Sequence, residues 1–166
     1  MASVVVALLS WIHAVAGYEI PAALPAVQFV SHQILVDTMC EGIECPVAGM
    51  YLYGDAVYLD ERLDVETDPL HQSILLHELV HYMQRQSGLF TPPSCATWVA
   101  AEREAYRLQA RWLSVHQGVH PMMRYMPRAD LCEPDARTPR KAAGAPSSGN
   151  GAVPPADDGP HERPTE

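Results

Sequence analysis

From Leu70 to Ser87 the chain contains neither glycine nor proline, and this uninterrupted stretch constrains the fold more than any other segment. Thr67-Asp68-Pro69 precedes it: Asp68 is suited to cap a helix, and Pro69 fits the first helical position, where no amide hydrogen is required. Gly88 follows it, so the spacing predicts a helix of about five turns. Leu75, Leu76, Leu79, Val80, Tyr82 and Met83 cover most of its sides, which marks a central, buried helix. Between Ile74 and Met83 almost the only polar groups are His77, Glu78 and His81. Burying them without partners costs on the order of several kcal/mol, so the rest of the chain must supply something that satisfies them.

A metal ion does so directly. Residues four apart on a helix lie one above the other, about 40° round the axis, so His77 and His81 can each bring an imidazole nitrogen to one zinc ion at about 2 Å. Glu78 lies about 100° from His77, beside such an ion rather than on it. A carboxylate there is placed to act as general base toward a zinc-bound water, whose pKa zinc lowers toward about 7. The bland alternative makes His77 and His81 core histidines bonded to backbone carbonyls, with Glu78 at the surface.

A catalytic zinc usually keeps three protein ligands and one open position. The turn-rich run "LFTPPS" separates the first helix from a second one predicted over Cys95 to Gln117 and closed by Gly118, which contains "TWVAAEREAYRLQARWL". With Trp98 as the origin and a step of about 100° per residue, Glu102 falls near about 40°, among Tyr106, Gln109, Trp112 and Leu113. That face points into the domain and makes Glu102 the expected third ligand, its alternative being a buried Glu bonded to Trp98 or Tyr82. Glu104 falls near about 240°, beside Arg107 and Arg111, where it is expected to face solvent in an i,i+3 ion pair. His116 and His120 are weaker ligand candidates, at the end of the helix and beyond it.

The surroundings suit a small α+β domain. "VAGMYLY" and "AVYLD" flank Gly54-Asp55 and read as two antiparallel strands just before the helix. Residues 1–16 allow two readings: a secretory signal ending at Ala14-Val15-Ala16, or an amphipathic first helix ended by Gly17 and Pro21. The helix is the preferred reading, and with it a cytoplasmic location; export is the alternative if residues 1–16 are a signal. Cys40 with Cys45 and Cys95 with Cys132 are the expected pairs if the cysteines are oxidised, and four buried thiols are the other option. The domain is expected over 1–132, and the Pro-, Gly- and Ala-rich acidic stretch 133–166 is expected to be disordered. A net charge of −9, with no Lys or Arg before Arg62, argues against a nucleic-acid partner. No apolar run reaches the roughly 18 to 20 residues of a membrane span.

At this point the sequence resembles a known group. His77-Glu-Leu-Val-His81, followed after twenty residues by Glu102-x-x-Ala105, is similar to the gluzincin metallopeptidases, especially minimal members built from a hairpin, an active-site helix and a glutamate helix. It also resembles small bacterial HExxH proteins of unassigned function. The likeness covers about residues 45 to 115. It implies a small zincin-like domain, a Zn2+ ion on His77, His81 and Glu102, Glu78 as general base, and hydrolysis of a peptide or protein substrate. It also implies that an arm of the hairpin, Met50–Tyr53 or Ala56–Leu59, pairs with extended substrate. Many gluzincins carry Asp or Asn after that alanine, where it supports a ligand histidine; here the position is Tyr106, so support must come from elsewhere. Tyr106, Tyr82 and His71 are the candidates for stabilising the oxyanion or supporting the ligands. The competing reading from another class is a non-catalytic regulatory or binding module in which zinc only cross-links the two helices.

Overall fold

The computed structural model describes residues 1–52, 54, 56–89, 94–118 and 132. The chain divides into two units, Met1–Pro134 and Asp135–Glu166, and all but the first two residues of the expected disordered tail 133–166 fall in the second; the whole tail lies outside the described residues, as does His120. Among its described residues the first unit is α+β, with four helices and a three-stranded sheet in the order α1 (Ala2–Ala16), β1 (Ala26–Val30), α2 (His32–Met39), β2 (Gly49–Tyr51), β3 (Ala56–Asp60), α3 (Pro69–Ser87) and α4 (Cys95–Gln117).

Ala2–Ala16 form a helix. Val5, Leu8, Leu9 and Ile12 of α1 are buried in the same core as α3, and Trp11 meets Trp112 of α4 edge to face at 5.3 Å. Gly17 ends the helix with a φ of 78°, a left-handed conformation that glycine adopts without steric penalty, and returns its N–H to His13 O. Both expected disulfides are present, Cys40–Cys45 and Cys95–Cys132.

The hairpin forms as expected, with Met50 opposite Tyr58 and Tyr51 opposite Val57. Two elements went unanticipated. β1 pairs in parallel with β3 from Ala26↔Ala56 to Val30↔Asp60, so the sheet order is β1-β3-β2 and β3 is the central strand. The short helix α2 follows β1 directly. Its start is fastened to the end of β3 by Asp60, which is almost fully buried and accepts from Arg62 Nε at 2.8 Å and from His32 Nδ1 at 2.9 Å. The Arg62 guanidinium above all holds the Asp60 carboxyl far below the usual carboxylate range.

α3 lies across this sheet and against α1 and α4, and ten of its residues are buried, from Ser73 to Gln84. Asp68 caps it by accepting from Leu70 N at 2.8 Å. If α1 belongs to the fold, Leu9→Ala should cost about 2–5 kcal/mol of stability in urea unfolding, the range for a large core truncation. A segment that merely precedes the domain would give a change near zero.

Candidate metal centre

His77 and His81 project from α3 toward Glu102 on α4, and the three side chains converge. His81 Nε2 lies 3.1 Å from His77 Nε2 and 3.2 Å from Glu102 Oε1, and His77 Nε2 lies 3.4 Å from Glu102 Oε2. Three donors bound to one zinc at the usual bond lengths stand about 3.3 Å apart, the edge of a coordination tetrahedron. Each pairwise spacing is near that edge, with the two histidines meeting different oxygens of the Glu102 carboxylate, and two imidazole nitrogens with one carboxylate form a set that suits zinc. Among the described residues this is the one group of three or more His, Cys, Asp or Glu side chains whose donor atoms gather closely enough to hold an ion.

The helices explain the convergence. On α4 the buried stripe is Ala101, Ala105, Leu108 and Trp112, which packs against α3. Glu102 stands on one flank of that stripe and Glu104 on the other. Glu104 is therefore not the solvent-facing residue expected from the helical wheel. It does pair with Arg107, at 3.3 Å, but it is only 21% exposed and also accepts from Gln84 Nε2 at 3.1 Å and from the Tyr18 hydroxyl. Trp98, taken as the origin of the wheel, is about half exposed, so the true centre of the buried face is rotated from it by roughly one residue step or less.

The electrostatics of the group follow from burial and from mutual neutralisation. Burial alone would push the Glu102 carboxyl up, but the hydrogen bonds from His77 and His81 reverse this and hold it at about 2. Burial works against a charged His81, yet the Glu102 hydrogen bond and the charges of Glu78 and Glu102 outweigh it and raise the imidazole above its ordinary value. Glu78 is pushed up chiefly by burial, and the His77 and His81 charges offset part of that push. A carboxylate whose affinity for protons has been raised is the kind a general base requires.

Glu78 is seated under the edge strand. Its carboxylate accepts the backbone N–H of Tyr51. A Cβ on Gly49 would come within 3.0 Å of Glu78 Cγ and 3.1 Å of Leu59 Cδ2, so glycine is what lets the glutamate approach β2. His81 is supported from behind: its Nδ1 lies 2.9 Å from Gln84 Oε1. His77 Nδ1 is buried with no hydrogen-bond partner among the described residues.

The remaining candidates separate clearly. The Tyr106 ring packs against the His77 ring with centroids 4.5 Å apart. Burial first, then the charges of Glu102 and Glu78, raise the Tyr106 hydroxyl pKa, so the phenol remains a proton donor beside the site. Tyr82 is not part of the group; it is buried and its hydroxyl donates to Ala23 O at 2.9 Å. Nor is His71, whose Nδ1 accepts from Asp64 N at 3.0 Å ahead of α3. His116 bonds Trp112 O at 2.9 Å and stacks on the Trp112 ring. Gly49, Tyr51, Gln84 and Tyr18 were not anticipated as neighbours of the site. Gln84 had a signal, since it stands three residues after His81 on the same helix face, and Gly49 had another, as a glycine within a strand.

Residues 1–127 match the family model described as Domain of unknown function (DUF6647). No curated protein and no solved structure matches the chain.

Two consequences are measurable in the metal-free protein. Because the folded pKa of Glu102 lies below its unfolded value, the stability it contributes is fully present above pH about 4.5 and lost as pH falls toward about 2. Glu102→Gln should therefore flatten the acid limb of the stability profile over that window, by up to about 3 kcal/mol in chemical unfolding. Gly49→Ala should lower stability by about 1–3 kcal/mol, an overpacking cost, and move the Glu78 carboxylate off the Tyr51 amide, visible as a shift of that amide resonance.

Proposed function

We propose that this chain, which belongs to the DUF6647 family, is a zincin-like metallopeptidase that hydrolyses peptide bonds, with His77, His81 and Glu102 holding zinc and Glu78 serving as general base. The observation that supports the reading is the convergence of two imidazoles from α3 and one carboxylate from α4, whose ligand atoms all lie within 4.8 Å of one another. Zinc, when bound, supplies a Lewis acid that polarises the scissile carbonyl and acidifies the hydrolytic water. Glu78 would take the water's proton and pass it to the leaving amine, and its burial against Gly49 keeps its proton affinity high enough for that role. Tyr106, beside His77 with its hydroxyl protonated, is the donor best placed to stabilise a developing oxyanion.

Substrate would dock on β2. β3 is paired on both sides, which removes it as the docking arm, whereas β2 is an edge of the sheet. Asp60 N donates to Ala48 O, so by the alternation of an antiparallel ladder Met50 turns its backbone toward β3 while Gly49 and Tyr51 turn theirs outward, the Tyr51 N–H meeting the Glu78 carboxylate there. An extended peptide adding to that edge would be held by main-chain hydrogen bonds with little dependence on sequence. The two disulfides are of the kind that persists in an oxidising compartment, which weighs against the cytoplasmic expectation.

The test uses zinc-loaded protein and a quenched fluorescent peptide library. Glu78→Gln should reduce hydrolysis by about 10²- to 10⁴-fold while elemental analysis still finds the metal. Glu102→Ala should lose both. Equal cleavage, or equal absence of cleavage, by the parent and the Glu78 variant with zinc retained would instead leave a structural zinc cross-link between α3 and α4.

A further inference from the structure

We propose that Gln84, locked by Glu104 and Tyr18, is a positioning residue that keeps a proton on His81 Nδ1 and so reserves His81 Nε2 for the metal. This rests on the zinc reading of His77, His81 and Glu102 and adds a support for one of its ligands.

The direction of the relay follows from connectivity. The Gln84 side chain is almost fully buried, and its amide nitrogen lies 3.0 Å from Ala101 O and 3.1 Å from Glu104 Oε2. Both neighbours are acceptors, a carbonyl and a carboxylate oxygen, so the NH2 end of the amide must face them. The other end is then the carbonyl, and it stands 2.9 Å from His81 Nδ1. An acceptor there requires the ring nitrogen to be the donor. With Nδ1–H fixed, Nε2 is the atom left to face His77 and Glu102, and it is the atom found there.

Glu104 makes the lock one-directional. Its Oε2 also receives the Tyr18 hydroxyl and its Oε1 receives Arg107, and as an ionised carboxylate it has no hydrogen to give the oxygen of a flipped amide. Tyr18 is held in turn, because His13 Nδ1 lies 2.6 Å from its carbonyl across the Gly17 turn. Burial raises the Tyr18 hydroxyl pKa strongly, which keeps it a donor. The end of α1 is thereby joined to a ligand histidine through three side chains. Metal-bound imidazoles commonly donate their second N–H to an oxygen, and here an amide takes the place that a carboxylate often fills.

The experiment compares parent, Gln84→Leu and the exchange Q84E/E104Q. Leucine removes the acceptor. The exchange restores the acceptor for His81, since a carboxylate at position 84 can accept from both His81 and the amide at position 104, while Ala101 O gives up the donor it has in the parent. In metal-free parent protein labelled with 15N at histidine, the His81 Nδ1 should carry its proton in a downfield resonance protected from water exchange. Gln84→Leu should lose that protection and weaken Zn2+ binding about 10- to 100-fold in a chelator competition, and Q84E/E104Q should restore both. A bare Nδ1 in the parent, or Gln84→Leu with parental zinc affinity, would overturn the relay. Should Gln84→Leu fail to fold, the parent spectrum and the exchange variant still decide it. A parent that shows the protected Nδ1–H yet binds no Zn2+ would uphold the relay and overturn the metal reading instead.

Discussion

The packing of α4 and β2 on α3 answers to the cost of burying His77, Glu78 and His81 on a helix whose other sides are needed for the core. Glu78 and His77 are each 8% exposed, and the helix that carries them also supplies Leu75, Leu76, Leu79 and Val80 to the centre of the molecule. An unpartnered charge in such a place is more expensive than a single packing defect. Glu102 offsets it for the histidines, and the Tyr51 amide offsets it for Glu78. The seam between α3 and α4 and the contact of α3 with β2 are therefore electrostatic necessities as well as packing surfaces.

This explains why small residues stand where they do. Ala101 and Ala105 let α4 approach α3 closely enough for Glu102 to reach both imidazoles, and a larger side chain in that stripe would hold the helices apart. Gly49 does the same for β2 and Glu78. Tyr106, by contrast, is large and flat against His77, and it closes one side of the group without bonding the orphaned His77 Nδ1.

The parts of the molecule that were legible in the sequence are those governed by local rules. The bounds of α3 and α4 follow from Asp68, Pro69, Gly88 and Gly118, and the hairpin follows from two β-rich runs around a turn. Glu102 could be chosen over Glu104 because one helical wheel separates them. The same wheel misjudged Glu104, since periodicity reports which way a side chain leaves its own helix and not what else arrives there; Tyr18 comes from 86 residues away. β1 and α2 were missed for a related reason. Five residues with an irregular exposure pattern and eight residues of helix are too short for periodicity to register, and a parallel pair has no turn to betray it. Gln84 was overlooked because a glutamine on a helix is ordinary until both ends of its amide are accounted for.

The spacings within the site bear on how it could serve two states. Distances of 3.1 to 3.4 Å are hydrogen-bond lengths as well as the edges of a coordination tetrahedron. On the proposed zinc reading, the same arrangement of His77, His81 and Glu102 would hold a shared proton in one state and a divalent cation in the other. A lowered Glu102 and a raised His81 are the directions that an ion pair between α3 and α4 produces in the metal-free protein. Exchange of that proton for a metal would then be limited by which nitrogen can release one. Gln84 bears on that choice, because an Nδ1–H engaged by a buried acceptor is retained while the Nε2 side faces the carboxylate.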